Sequence, residues 1–219
     1  MPKDTRARFL FRGHASFEYQ LVTTLDRERP FQDDRLRQHF YQDMLAEFWR
    51  EAMQQVSIRD ELPAGDALEL LARHHGVPSP ILDWTESPYI AAFFAFESSK
   101  RLWPPATSGG HSIAIFVLDL MAFDPDRGVT MIEDRELIRF NRRALRQRGR
   151  FARVETIQQP VEEILSGALT KIIVPAQFRS IALADLDAMT INAANLFADL
   201  DGAARTARFR LLDEPGATR

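Results

Sequence analysis

Two short segments concentrate residue types that bind or transform small molecules. They are FLFRGH at residues 9–14 and HHGVPSPILDWT at residues 74–85. Charged and hydroxyl side chains are costly to bury without partners, so dense mixtures of them beside apolar runs predict a site on a rigid frame. The candidates in these segments are Arg12, Gly13, His14, His75, Asp83, Trp84 and Thr85.

The same residues also have structural interpretations. Arg12 would be equally constrained if it paired with a buried carboxylate such as Asp83. Asp83 and Thr85 would form a cap-and-turn network at the start of the next helix. His75 would bond a backbone carbonyl at the turn, and Trp84 would belong to the core. The residue types alone leave both interpretations open.

Composition excludes several classes of protein. The chain has 219 residues, 45% of them hydrophobic, a formal charge of −3 and no cysteine. The missing cysteines exclude disulfides, thiolate zinc sites and cysteine nucleophiles. No His-Glu-x-x-His motif is present, so no metal site is predicted, and no Gly-x-Ser-x-Gly motif indicates a serine nucleophile. The longest apolar runs fall far short of the ~20 residues that cross a bilayer. We therefore expect a cytoplasmic protein with no membrane partner.

Hydrophobic periodicity predicts the elements that must position these residues. Apolar residues at three- and four-residue spacing after Asp33 predict a helix of about 20 residues. Thr85 or Ser87 would cap an apolar helix that begins near Pro88. Residues 14–32 are expected to form a loop. Further helices are predicted at residues 66–74, capped by Asp66, at 134–146 and within 178–210. Strands are predicted at 8–12, 112–120, 150–156 and 169–174, with a strand or extended arm at 81–84. The pattern predicts one α+β domain over residues 1–219, with a small split or mixed sheet and surrounding helices.

The spacing of the motifs resembles the FRG domain family. The family combines an aromatic-Arg-Gly tripeptide, here Phe11-Arg12-Gly13, with a block of the form His-x-Gly-x-Pro-Thr-x-Leu-Leu-Asp-Trp-Thr and an Ala- and Phe-rich helix. In this chain Ser79 replaces the usual Thr, and Pro80 stands where Arg is frequent. Three later segments are also similar to family motifs: 147–151, 169–175 and 196–202. The resemblance implies that the gene of this protein lies near mobile-element or phage-defence genes.

A weaker resemblance connects the chain to NAD-dependent ADP-ribosyltransferases of the Arg-Ser-Glu type. It implies that Arg12 would hold a phosphate of NAD or orient the site, and that Thr85 or His75 would contact the ribose or nicotinamide. Gly13, His14, His75 and Trp84 would complete the cofactor site. Glu163 would stabilise the cationic sugar, as carboxylates do in glycoside chemistry. Glu155 and Asp83 are rivals for that role. The activity implied is that of a toxin or defence effector that modifies a protein or a nucleic acid.

A non-catalytic module that binds a nucleotide or a nucleic acid is the alternative. Seven arginines lie between residues 139 and 153, several at helical spacing. One basic face would meet phosphates. Nearby acidic residues favour a solvated helix face instead.

Overall fold

The computed structural model describes residues 7–55, 63–99, 111–132 and 142–213, without the side chain of Arg142. In these ranges the strands are β1 (Phe9–His14), β2 (Ile81–Thr85), β3 (Ser112–Asp119), β4 (Val129–Ile132), β5 (Gly149–Val154) and β6 (Leu169–Pro175). The helices are α1 (Thr24–Glu28), α2 (Asp34–Ala52), α3 (Asp66–His74), α4 (Pro88–Ser99), α5 (Arg142–Arg146), α6 (Val161–Ile164), α7 (Arg179–Ala188), α8 (Ala193–Phe197) and α9 (Leu200–Arg208). The α+β class is confirmed.

The six strands of the described residues form one sheet in the order β4-β5-β2-β1-β3-β6. All neighbouring pairs are antiparallel, so the sheet is not mixed. β1 pairs with β3 along its whole length, whereas β1 meets β2 at one position, with Phe11 opposite Thr85. The sheet is therefore split between β1 and β2. The sequence predicted a split or a mixed sheet, and the split form is the one observed.

Alternate residues of the central strands enter different hydrophobic clusters. Phe116 of β3 packs with Leu10, Leu82 and Ile164 on one face of the sheet, whereas Ile113 packs with α4, α7 and α8 on the other. α4 is buried between the sheet and the later helices, as its uniformly apolar sequence predicts. None of the helices in the described ranges has the length and apolar character needed to span a membrane.

Local sequence signals account for several element boundaries. The carboxylate of Asp33 accepts a hydrogen bond from the backbone N–H of Leu36 and caps α2. Ser87 Oγ accepts from the N–H of Ile90 and caps α4, which confirms that predicted start. The predicted cap of α3 is wrong. Asp66 is the first helical residue, because Gly65 adopts a positive φ of 60° and forms the cap itself.

Three other predictions differ from the structure or cannot be compared with it. Residues 14–32 contain the short helix α1, which Thr23 caps by accepting a hydrogen bond from Asp26. β4 was not predicted, because four residues are too few to show a reliable alternation. Of the predicted helix at 134–146, residues 142–146 are helical, and residues 134–141 lie outside the described residues.

The glycine of Phe11-Arg12-Gly13 permits close packing between β1 and α4. A Cβ atom placed on Gly13 would lie 1.9 Å from the carbonyl oxygen of Ala91 and 2.9 Å from the amide nitrogen of Ala95. Both atoms belong to helix backbone, which cannot move aside as a flexible side chain would. The absence of a side chain at Gly13 therefore allows the backbone of α4 to lie directly against β1, next to the split.

We expect Gly13→Ala to lower the free energy of unfolding by about 3 kcal/mol or more, the upper end of the usual cost of overpacking. Urea unfolding monitored by circular dichroism measures the change. Gly167→Ala is the control. Gly167 has open space around it and a φ of 90°, so that its substitution carries only the left-handed backbone cost of ~1–2 kcal/mol. Equal losses in the two variants would contradict the packing argument.

Candidate active or binding cleft at the split of the sheet

A cleft of about 280 Å³ lies where β1 and β2 diverge. The two strands, α4, and α5 with the turn that follows it supply its walls. The lining residues are Phe11, Arg12, Gly13, Asp83, Trp84, Thr85, Ala91, Phe94, Ser98, Arg143 and Gln147. Both sequence segments that predicted a site therefore contribute to one cavity.

Arg12 bridges the split. Its Nη1 donates a 2.6 Å hydrogen bond to the backbone carbonyl of Asp83, and its Nε donates to Nε2 of His14 at 3.0 Å. Burial lowers the pKa of Arg12 to about 10; the charge of Asp83 opposes this shift, and those of Arg73 and Arg27 add to it. The guanidinium thus stays protonated at neutral pH, held by one neighbour on each strand.

His14 supports Arg12 and does not line the cleft. Its ring packs edge-on against Phe116, with centroids 5.0 Å apart. Burial and the charge of Arg12 lower the pKa of His14 to about 3, so the ring is neutral. Because Nε2 accepts from Arg12, the proton lies on Nδ1. Nδ1 is buried and has no hydrogen-bond partner among the described residues. His14 therefore orients the arginine, and its predicted contact with a cofactor stays a prediction.

Asp83 pairs with Arg73 of α3 through both carboxylate oxygens, one of them 2.9 Å from Nε. The Nη1 atom of Arg73 also donates to the hydroxyl of Ser79 at 2.7 Å. Enclosure in the cleft opposes ionisation of Asp83, but the charge and hydrogen bonds of Arg73 outweigh it and lower the pKa of the carboxyl. The Asp83 side chain is 51% exposed, so it is an ionised group that a ligand can reach.

Thr85 holds the turn between β2 and α4. Its hydroxyl donates to the backbone carbonyl of Gln147 at 2.7 Å and accepts from the N–H of Ser87 at 3.1 Å. The side-chain amide of Gln147 in turn donates to the carbonyl of Leu196. The threonine thus ties the end of β2 to the turn after α5, which is the bracing role that its sequence context left open.

Arg143 forms the opposite wall of the cleft. Its guanidinium carbon lies 4.1 Å from the centre of the Phe197 ring, and that ring packs against Phe94 of the cleft. Burial lowers the pKa of Arg143, with Asp199 opposing and Arg205 adding to the shift. The Arg143 side chain makes no hydrogen bond or ion pair with any described residue, whereas its backbone carbonyl accepts from the N–H of Gln147. Stacking therefore fixes a cation whose N–H donors remain available.

Trp84 contributes a buried donor to the same region. The side chain is only 3% exposed and packs in the largest cluster beside Leu82. Its Nε1 has no hydrogen-bond partner among the described residues. A buried indole N–H without a partner is uncommon and requires an explanation.

The structure brings together only some of the predicted site residues. Arg12, Gly13, Asp83, Trp84 and Thr85 line the cleft. The other candidates lie outside its lining: His14, His75, Glu155 and Glu163.

Glu163 is exposed on α6, where its backbone carbonyl accepts from Arg127. Glu155 accepts a hydrogen bond from Thr130 beside β4. His75 is exposed at the end of α3, where its N–H bonds the carbonyls of the last turn. Of the carboxylates in the described residues, Asp83 is the one that lines the cleft.

Two arginines of this site were not predicted. A lone aspartate in a buried strand requires a cationic partner, so Asp83 indicated that one exists. No local pattern identified Arg73 as that partner. Arg143 belongs to the arginine-rich segment that suggested a nucleic-acid face.

Most described arginines of that segment are engaged elsewhere. Arg150 and Arg148 pair with Glu86, Arg153 pairs with two carboxylates of α3, and Arg146 donates to a backbone carbonyl of α8. Arg139 and the side chain of Arg142 lie outside the description. A continuous basic face therefore does not form from the described members.

Comparison with protein families identifies the class. Residues 7–102 match the family model of the FRG domain. The chain therefore contains an FRG domain, which confirms the family predicted from its motifs. The matched range includes β1, β2 and α4, whereas β3 to β6 of the same sheet follow it. No significant match was found among curated proteins or solved structures.

The lowered pKa of Asp83 predicts a pH-dependent stability. A carboxyl group whose pKa is lower in the folded than in the unfolded protein stabilises the fold at pH values above its unfolded-state pKa of about 3.9. This stabilisation is lost as the pH falls through the pKa of the folded state. Wild type should therefore be more stable than Asp83→Asn at pH 7, with a difference that shrinks in acid. Urea unfolding across this pH range measures it.

Arg73→Gln provides the control background. Without the arginine, Asp83→Asn should have a smaller effect that depends less on pH. A pH-independent difference in both backgrounds would show that Arg73 does not hold Asp83 ionised.

Proposed function

We propose that the FRG cleft binds a nucleotide, with Arg143 and Arg12 facing its phosphate. The observation that carries this proposal is the state of Arg143, a cation fixed by Phe197 and without a hydrogen bond or ion pair to the described residues. Arginine forks match phosphate oxygens geometrically, and such charge-assisted hydrogen bonds are among the strongest in proteins.

The charge of the lining supports an anionic ligand. Arg73 already neutralises Asp83 through a two-pronged ion pair. Asp83 is the carboxylate of the lining, and its charge is already paired. The positive charges of Arg12 and Arg143 are therefore in excess within the cleft. Like-charge repulsion and burial both act to lower the pKa of the two arginines, and an added anion would relieve both effects.

The shape of the cleft limits the ligand. Phe11, Ala91 and Phe94 form an apolar wall beside the two arginines, which suits a base or nicotinamide ring. The volume of about 280 Å³ lies at the lower end of the ~300–1,000 Å³ typical of ligand sites. The ligand portion enclosed is therefore about one nucleotide.

Calorimetric titration with AMP, NAD and adenosine tests the proposal. We expect AMP and NAD to bind, and adenosine to bind more weakly because it lacks a phosphate. Arg143→Gln should weaken AMP binding by about tenfold or more, since it removes charge-assisted hydrogen bonds. Arg146→Gln is the matched control, because Arg146 lies on the same helix outside the cleft. Equal affinity of adenosine and AMP, or equal losses in the two variants, would refute the phosphate assignment.

NAD-dependent ADP-ribosyl transfer is the second candidate, and Asp83 favours it. A half-exposed, ionised carboxylate beside Arg12 can stabilise a cationic sugar as the nicotinamide–ribose bond breaks. This assignment moves the role from Glu163, which is exposed outside the cleft, to Asp83. Roles as a toxin or phage-defence effector rest on the family resemblance alone and stay predictions.

Nicotinamide release from NAD, followed with several protein and nucleic-acid acceptors, separates the two candidates. Transfer predicts release that Asp83→Asn abolishes and Glu163→Gln preserves, with both variants folded by circular dichroism. NAD binding without release would leave the binding proposal standing and reject transfer. Release that requires Glu163 and tolerates Asp83→Asn would contradict the assignment of the carboxylate.

A further inference from the structure

A second cavity of about 600 Å³ lies among α4, α7, α8, α9 and the π-helix Phe209–Asp213. Ser98 is the residue that it shares with the cleft, and all its other lining residues are different. Its apolar lining consists of Phe93, Leu183, Ile191, Ala193 and Phe209. The volume falls within the usual range for small-molecule sites.

Arg179 is a mostly buried cation in this lining, with a side chain only 12% exposed. Its Nε donates to the carbonyl of Phe96 at 3.0 Å. Its Nη2 lies 3.9 Å from a carboxylate oxygen of Asp213, which is too far for a hydrogen bond. The outer N–H groups of the guanidinium therefore have no hydrogen-bond partner among the described residues. Burial also lowers the pKa of Arg179, so the charge is held there at a cost.

Two of the three carboxylates in the lining are already paired with arginines. Glu97 is 3.5 Å from Arg205, and Asp187 forms a two-pronged pair with Arg210. Arg208 lines the cavity, and its side chain makes no hydrogen bond or ion pair with a described residue. The lining thus holds three arginines, Arg179, Arg205 and Arg208, and three carboxylates, Glu97, Asp187 and Asp213. Because Glu97 and Asp187 already have arginine partners, the donors of Arg208 and the outer N–H groups of Arg179 are the ones that an anion can use.

We propose that this cavity is a second binding site, for a small anion with an apolar body, such as a phosphorylated or carboxylated ring compound. Arg179 binds the anionic group with its outer N–H donors, and the apolar residues enclose the rest of the molecule. The site is separate from the nucleotide cleft and does not depend on the function of that cleft.

Calorimetry with phenyl phosphate as the probe tests this site. Wild type should bind phenyl phosphate, and Arg179→Gln should weaken that binding by about tenfold or more. Leu183→Phe narrows the apolar lining without removing a charge and should also weaken it. Benzoate and inorganic phosphate, used as separate probes, show whether the carboxylate or phosphate class is preferred and how much the ring contributes.

Arg143→Gln distinguishes the two cavities, because Arg143 lines the cleft and is not among the lining residues of the second cavity. The second site predicts a phenyl phosphate signal that Arg143→Gln keeps and Arg179→Gln loses. A signal that only Arg143→Gln removes belongs to the cleft and overturns the proposal. No binding to wild type overturns it as well. If Arg179→Gln does not fold, the proposal is tested with Leu183→Phe alone. Equal affinity of wild type and Leu183→Phe for phenyl phosphate would then overturn it.

Discussion

The hydrogen bond from Arg12 to the backbone carbonyl of Asp83 joins the two halves of this sheet. β1 and β2 meet at a single backbone position, so the carbonyl of Asp83 lacks the strand partner that a continuous sheet would supply. The guanidinium of Arg12 supplies the missing donor to this carbonyl and also reaches His14. The same arginine therefore closes the fold and lines the opening that the split leaves.

The other signature residues can be understood from that arrangement. Gly13 lets α4 approach the end of β1, and Thr85 ties β2 to the turn after α5. The hydroxyl that Ser79 retains from the family pattern accepts a hydrogen bond from Arg73, which in turn holds Asp83. These constraints produce a preorganised wall, and Arg143 is the lining cation whose side chain has no hydrogen bond or ion pair with the described residues. The motif that defines the family thus supports the fold and lines the cleft.

Local patterns predicted much of the fold, because capping and periodicity act over a few residues. Asp33, Ser87 and the apolar body of α4 are examples. The site was predicted only in part, since long-range geometry decides it. Arg73 and Asp83 are ten positions apart on different elements, and nothing local marks them as a pair. The order of elements along the chain suggested Glu163, but the fold places that residue outside the cleft.

A crystal structure of the protein with AMP tests the central claim most directly. The account predicts the phosphate within hydrogen-bond distance of Arg143 and the ring beside Phe94, with the bond from Arg12 to Asp83 intact. A nucleotide bound elsewhere, including beside Arg179, would contradict the claim that the split of the sheet forms the nucleotide site. So would a bound phosphate that leaves Arg143 without a contact.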